Sequence, residues 1–295
     1  MKRAISAGAP ASALDIERFT KLLPNNAQVF TPYGATEALP VANIGSREIL
    51  TETRFLTEQG KGVCVGRPVE GMQVRVIPIS DGPVPEWNES LCLPPGEIGE
   101  FVVRGPVVTK AYFNRPEATK LAKIIDNATG ETLHRMGDVG YLDARGRLWF
   151  CGRKSHRVIT PHGTLFTDMV EPIFNTVPGV FRTALVGVTR HGVTVPVVCV
   201  EPLSPTHAPP DVKWRFVSRP WAEIERDLMS RTVQFDHTRT IGTFLLHSGF
   251  PVDIRHNSKI FREKLAAWAD KVLGKRWNPA DNTKVNSPSG SGTRA

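Results

Sequence analysis

The chain has 295 residues, 40% of them hydrophobic and 22% charged, which is enough for one large core or two ordinary ones. Its 25 Gly and 24 Pro are too few and too scattered for a collagenous or low-complexity chain. The net charge is +8, all of it from the second half: Lys and Arg balance Asp and Glu at 17 each over residues 1–150, against 20 and 12 afterwards.

Residues 12–23 predict a short helix. Ser12 can cap it, Asp15 takes the third position, and Ile16, Phe19 and Leu23 recur at helical spacing. Pro24-Asn25-Asn26 ends it, Ala27 to Phe30 reads as a buried strand, and Thr31 to Thr36 as a loop. From about residue 62 to 151 short strands alternate with Gly and Pro. Met72–Val76, Gly99–Gly105 and Arg147–Gly152 are the clearest, and a small β-barrel is expected there.

Past Gly152 the pattern becomes α+β. Thr167–Thr176 predicts a helix with Val170, Ile173 and Phe174 inward; Ala184–Val188 and Val193–Val200 predict strands. Pro220–Arg231 predicts a helix with Trp221, Ile224 and Leu228 on one face. A last helix is expected over about Ser258–Leu273, with Phe261, Leu265, Trp268 and Val272 on one stripe and Gly274 as terminator. Residues 278–295 have nothing to bury and are expected to be disordered.

No apolar run approaches the roughly 20 residues of a membrane helix, and Met1-Lys2-Arg3 precedes no apolar leader segment. The four cysteines (64, 92, 151 and 199) form no C-x-x-C pair, which argues against structural zinc or a disulfide framework and fits a reducing cytoplasm. A basic half admits nucleic acid, an anionic membrane or a phosphate-bearing ligand. Without zinc-finger spacing, an RNP-like strand or a basic block, nucleic acid is the least expected.

Three stretches stand out chemically. In Thr31-Pro32-Tyr33-Gly34-Ala35-Thr36-Glu37, a Gly admits close backbone approach, a Thr hydroxyl can donate to phosphate, Glu37 can hold Mg²⁺ and Tyr33 offers a flat face to adenine. Asp138, after Gly137, suits a grip on two ribose hydroxyls, and Arg153 can meet ribose or phosphate oxygen. Lys259, at the expected start of the last helix, would oppose the helix dipole and so hints at an anionic partner. Each stretch alone is more often a polar loop, a turn or a solvated lysine.

In order, they resemble the motifs of the adenylate-forming (AMP-forming acyl ligase) superfamily. Tyr33–Glu37 resembles YGxTE, and Gly62–Pro68 with Gly99–Thr119 resembles GExxxxGxxxxxGYxxxPExT. Gly137-Asp138 resembles TGD, Gly152-Arg153-Lys154 the GRxD hinge, and Gly8-Ala9-Pro10 the turn against adenine; Lys259 falls on the C-terminal lysine. Gly152–Ile159 and Phe250–Leu265 look most like the β-lactone synthetases of bacterial olefin biosynthesis, which adenylate a β-hydroxy acid and close a lactone with release of AMP.

The resemblance implies a fold of α/β and α+β parts. Residues 1–151 would form the C-terminal part of the large AMP-binding domain, 152–156 a hinge, and 157–277 a mobile lid domain. It implies ATP and Mg²⁺, a long-chain β-hydroxy acid as substrate, and other olefin-pathway enzymes as candidate partners. Lys259 would neutralise the α-phosphate, Thr36 contact it and Glu37 hold Mg²⁺. Asp138 and Arg153 would anchor ribose, while Tyr33, Gly34 and Gly8-Ala9-Pro10 shape the adenine slot. His134, His156 and His162 are unranked candidates for the base of ring closure.

Met136 in place of Thr, Ser155 at the usual hinge Asp or Lys, and Pro161-His162-Gly163 depart from the pattern. The last makes a CoA half-reaction less expected. The Ser/Thr/Gly-rich phosphate loop is missing, so the chain reads as the C-terminal part of a longer enzyme and Met1 as an internal methionine. An acyl-CoA or acyl-AMP ligase, and an inactive nucleotide-binding module, are the alternatives.

Overall fold

The computed structural model describes residues 2–8, 11–204, 207, 219–253 and 256–278, and the chain divides into two units between His156 and Arg157. The expectations for Ala9, Pro10 and residues 279–295 lie outside the described residues.

In the first unit, β1 (Arg3–Ile5) and β2 (Gln28–Ala35) pair in parallel across α1 (Ala13–Thr20). Ser12 caps α1 through the Asp15 amide, and Ile16 enters a cluster with Val29, Ile44 and Trp149. Phe19, expected inward, is 44% exposed. The loop expected at Thr31–Thr36 is instead strand. β2 continues to Ala35, and a turn at Thr36-Glu37 leads into β3 (Ala38–Gly45) as an antiparallel hairpin.

The chain then forms a helical segment in three parts, α2 (Ser46–Glu48), a π-helical turn (Ile49–Thr53) and α3 (Arg54–Thr57). Strands β4 (Val63–Pro68), β5 (Gln73–Ile77) and β6 (Gly99–Arg104) follow. After them come α4 (Pro116–Ala122), β7 (Lys123–Ile125), β8 (Thr132–Leu142) and β9 (Leu148–Arg153).

These strands do not close into the expected barrel. They extend one open sheet in the order β1-β2-β3-β4-β9-β8-β6-β5, with β7 alongside β8. The reason lies in β4, which bulges between Cys64 and Gly66 and pairs with both β9 and β3. Gly66 sits at φ +89°, and a Cβ there would come 1.9 Å from the Asn43 carbonyl oxygen, so the crossing needs glycine. Phe101, Val103, Val74 and Leu148 form the apolar floor beneath the site.

In the second unit, β10 (Val158–Thr160) and β11 (Gly163–Leu165) form a hairpin before α5 (Thr167–Phe174). Next, β12 (Val180–Arg190) and β13 (Val193–Pro202) run antiparallel, and after α6 (Trp221–Thr232) β14 (Phe244–Leu246) pairs with β13 in parallel. The strand alternation is legible in the packing: Leu185, Val198 and Val200 face α5 and α6, while Ala184, Val186, Val197 and Cys199 face α7 (Arg262–Leu273). Val170, Ile173 and Phe174 are fully buried, as their spacing predicts.

The last helix starts later than expected. β15 (Val252–Asp253) pairs with β16 (His256–Ile260), and Ile260 is held in that ladder opposite Val252. Helix α7 therefore begins only after Phe261, and Lys259 lies exposed on a strand. The dipole argument for an anion at Lys259 falls with it. Val272, placed on the inward stripe, is 52% exposed, and Ala269 takes the buried position instead.

Candidate active site

Hairpin β2–β3 and hairpin β8–β9 bring the first two motifs together. Asp138 on β8 stands directly across from Arg153 on β9. The Arg153 guanidinium meets Asp138 Oδ1 at 2.9 Å and donates to the Met136 carbonyl at 3.2 Å. Arg153 is therefore engaged with the carboxylate, while half of its side chain stays exposed. The Tyr33 hydroxyl donates to Asp138 Oδ2 at 2.5 Å, and its ring packs edge-on against Phe101. Burial first, and then the negative Asp138, push the Tyr33 hydroxyl well above the usual tyrosine range, so it stays a donor.

Backbone geometry sets the spacing. Gly137 is left-handed at φ +65°, which turns the chain immediately before Asp138. At Gly34 a Cβ would lie 2.5 Å from the Ala38 carbonyl oxygen, so only glycine closes this hairpin. The β8–β9 turn is pinned by Asp143, which accepts from Arg147 Nε at 2.6 Å and Trp149 Nε1 at 2.9 Å. Those bonds outweigh burial and hold its carboxyl at about 2.

Glu37 sits in the β2–β3 turn beside exposed Thr36. Its Oε1 accepts from the Tyr112 hydroxyl at 2.7 Å, and its carbonyl accepts from the Thr109 amide at 2.9 Å. Burial alone would raise its carboxyl, but the Tyr112 bond and nearby cationic groups bring it below the usual range. Tyr112 is held in turn: its amide donates to Thr119 Oγ1, and Lys123 stands 5.7 Å over its ring. The spacing rules did not single out Tyr112. Its only signal was its place in the stretch ending at Thr119.

A cleft of about 320 Å³ opens between these elements, lined by Glu37, Tyr112, His134, Met136, Gly137 and Arg153 among others. That is the scale of a small-ligand site. His134 is buried, with Nδ1 3.1 Å from the Ala122 carbonyl oxygen. Since a carbonyl only accepts, Nδ1 carries the proton. Burial, then the facing Lys123, lower the imidazole to about 4, so it is neutral at pH 7. By contrast, His156 lies in a 3₁₀ turn and His162 is exposed in the β10–β11 turn.

Below the cleft, Glu100 is buried between two cations, with Arg135 at 2.6 Å and Lys154 at 3.0 Å. Arg135 also donates to the Ser80, Gly82 and Leu121 carbonyls. This network fixes residue 154, next to Arg153, and sequence reasoning missed it because charge counts do not reveal burial.

Of the remaining predicted residues, Gly8 is exposed at φ +94°, and Lys259 belongs to the second unit. Among the described residues no cluster of three or more His, Cys, Asp or Glu could hold a metal. Among the described residues no helix is long and apolar enough to cross a membrane.

Residues 1–113 match the AMP-binding enzyme family. The chain is 50% identical over 277 residues to the olefin beta-lactone synthetase of Stenotrophomonas maltophilia, covering 93% of this chain and 48% of that protein. The chain belongs to the adenylate-forming superfamily. It is 52% identical over 272 residues to the olefin beta-lactone synthetase of Xanthomonas campestris pv. campestris, covering 91% of this chain and 47% of that protein. Among solved structures it resembles the amide bond synthetase McbA of Marinactinospora thermotolerans, with a TM-score of 0.66 and 22% identity over 91% of this chain and 47% of that one. That likeness places the adenylate-forming fold. The chain spans about half the length of the curated relatives it matches.

Proposed function

We propose that this chain is the C-terminal part of an ATP-dependent β-lactone synthetase, which adenylates a long-chain β-hydroxy acid and closes it to a β-lactone with release of AMP. The reading is carried by the 50–52% identity to two olefin beta-lactone synthetases over more than nine-tenths of the chain. The convergence of Glu37, Asp138 and Arg153 around one unit supports it.

In this reading Asp138 anchors the ribose hydroxyls and Arg153 keeps its carboxylate oriented. Tyr33 and Gly34 shape the nucleotide slot, with Gly8-Ala9-Pro10 as its adenine side. Thr36 donates to the α-phosphate, and Lys259 neutralises charge there as the acyl–phosphate bond forms; such contacts are typically worth about 2.7–4 kcal/mol.

Glu37 fits Mg²⁺. Its carboxyl is held ionised beside the cleft, and a carboxylate suits a cation that takes most of its ligands from phosphates and water. Bound there, Mg²⁺ would offset phosphate charge. Residues 152–156 serve as the hinge and residues 157–277 as the lid domain.

Mass spectrometry of the products from the full-length enzyme that contains this chain, supplied with ATP, Mg²⁺ and a long-chain 3-hydroxy acid, tests the reading. The expected products are the acid less one water and AMP, without CoA. An acyl-CoA product formed only when CoA is supplied would overturn it in favour of an acyl-CoA ligase.

A further inference from the structure

We propose that His134 is the general base of lactone closure, taking the proton from the substrate's β-hydroxyl at its Nε2. The inference rests on the β-lactone reading above. His134 is the one candidate histidine lining the cleft that also holds Glu37, Met136 and Arg153.

Its tautomer is set by the fold. The Ala122 carbonyl, at the end of α4, fixes the proton on Nδ1, so Nε2 keeps its lone pair. Strand pairing places Lys123 opposite His134, and Glu37, Glu100 and Lys123 are the charged groups that bear on the ring. Burial first, and then Lys123, keep the imidazole uncharged, the form a base requires. The two terminal nitrogens of the neighbouring Arg135 point to Glu100 and three backbone carbonyls.

The step balances without a co-reactant. The β-hydroxyl oxygen attacks the acyl carbonyl carbon and closes the four-membered ring. The bond from that carbon to the phosphate oxygen breaks, and its electron pair leaves with AMP. The hydroxyl proton passes to Nε2 and then to solvent.

The test supplies a synthetic 3-hydroxyacyl-adenylate, which bypasses ATP activation, and follows lactone release by mass spectrometry alongside AMP affinity by calorimetry. A positioned base is worth about 10²–10⁴-fold, so His134→Gln and His134→Ala should each slow lactone release by about 100-fold or more while AMP affinity is retained. Lactone release at the wild-type rate in either variant overturns the proposal. Loss of lactone release together with AMP affinity also overturns it, since His134 would then be a packing residue. The assay uses the full-length enzyme that contains this chain, and no lactone from its wild type would instead sink the β-lactone reading itself.

Discussion

The Tyr33 hydroxyl lies 2.5 Å from Asp138 Oδ2, joining two motifs 105 residues apart, while Arg153 holds the other oxygen of the same carboxylate. One hydrogen-bond donor and one ion-paired guanidinium on a carboxylate that is 4% exposed fix its orientation before any ligand arrives. A hydrogen bond to a charged group contributes about 1.5–3 kcal/mol. Tyr33→Phe should therefore lower the unfolding free energy by about that amount, measured by urea denaturation; an unchanged midpoint would contradict the pairing.

The buried Glu100 cluster makes a stronger prediction. Glu100→Gln leaves the buried Arg135 and the partly buried Lys154 without their anion, and breaking a buried pair costs about 3–5 kcal/mol. Urea denaturation should show a loss of that order. A loss under 1 kcal/mol would mean that the cluster is solvated.

Two glycines separate strain from crowding. Gly137→Ala meets open space but keeps φ +65°, so it should cost about 1 kcal/mol from backbone strain alone. Gly140→Ala drives a Cβ to 2.1 Å from the Trp149 carbonyl oxygen and 2.4 Å from Phe101, and should cost clearly more, as overpacking does at about 1–3 kcal/mol or above. Thermal melts of the two variants would rank them, and the reverse order would contradict the geometry.

His134 gives the stability a defined pH dependence. Its folded value is about 4, below the usual 6.5, so between those pH values the unfolded chain binds a proton that the folded chain does not. Stability from this group is full above pH 6.5, declines as the pH falls towards 4, and amounts to up to about 3 kcal/mol. The difference in melting temperature between wild type and His134→Gln should narrow as pH drops through that window. A difference independent of pH would contradict it.

Part of the candidate site was legible because motif order survives in sequence: Glu37, Asp138 and Arg153 stand out through the ordered motifs they resemble, not through any one residue alone. What was not legible depends on strand partners. Nothing local shows that Arg153 faces Asp138, that Tyr112 reaches Glu37 across 75 residues, or that Glu100 is buried between two cations. The same holds for the fold. The expected barrel failed because Gly66 lets β4 change partners, a consequence of a close approach to Asn43 that spacing cannot display. The helix expected from Ser258 failed for a related reason: the stripe of Leu265 and Trp268 locates a buried face but not the helix start, which the Ile260–Val252 pairing decides.

The most direct test of the nucleotide site is a calorimetric titration of AMP into the chain and into Asp138→Asn. The account predicts saturable binding of one AMP per chain, weakened by about tenfold or more in the variant, since a lost charge-assisted hydrogen bond is worth about 1.5–3 kcal/mol. Equal affinity in the two proteins, or no binding to the wild-type chain, would contradict it.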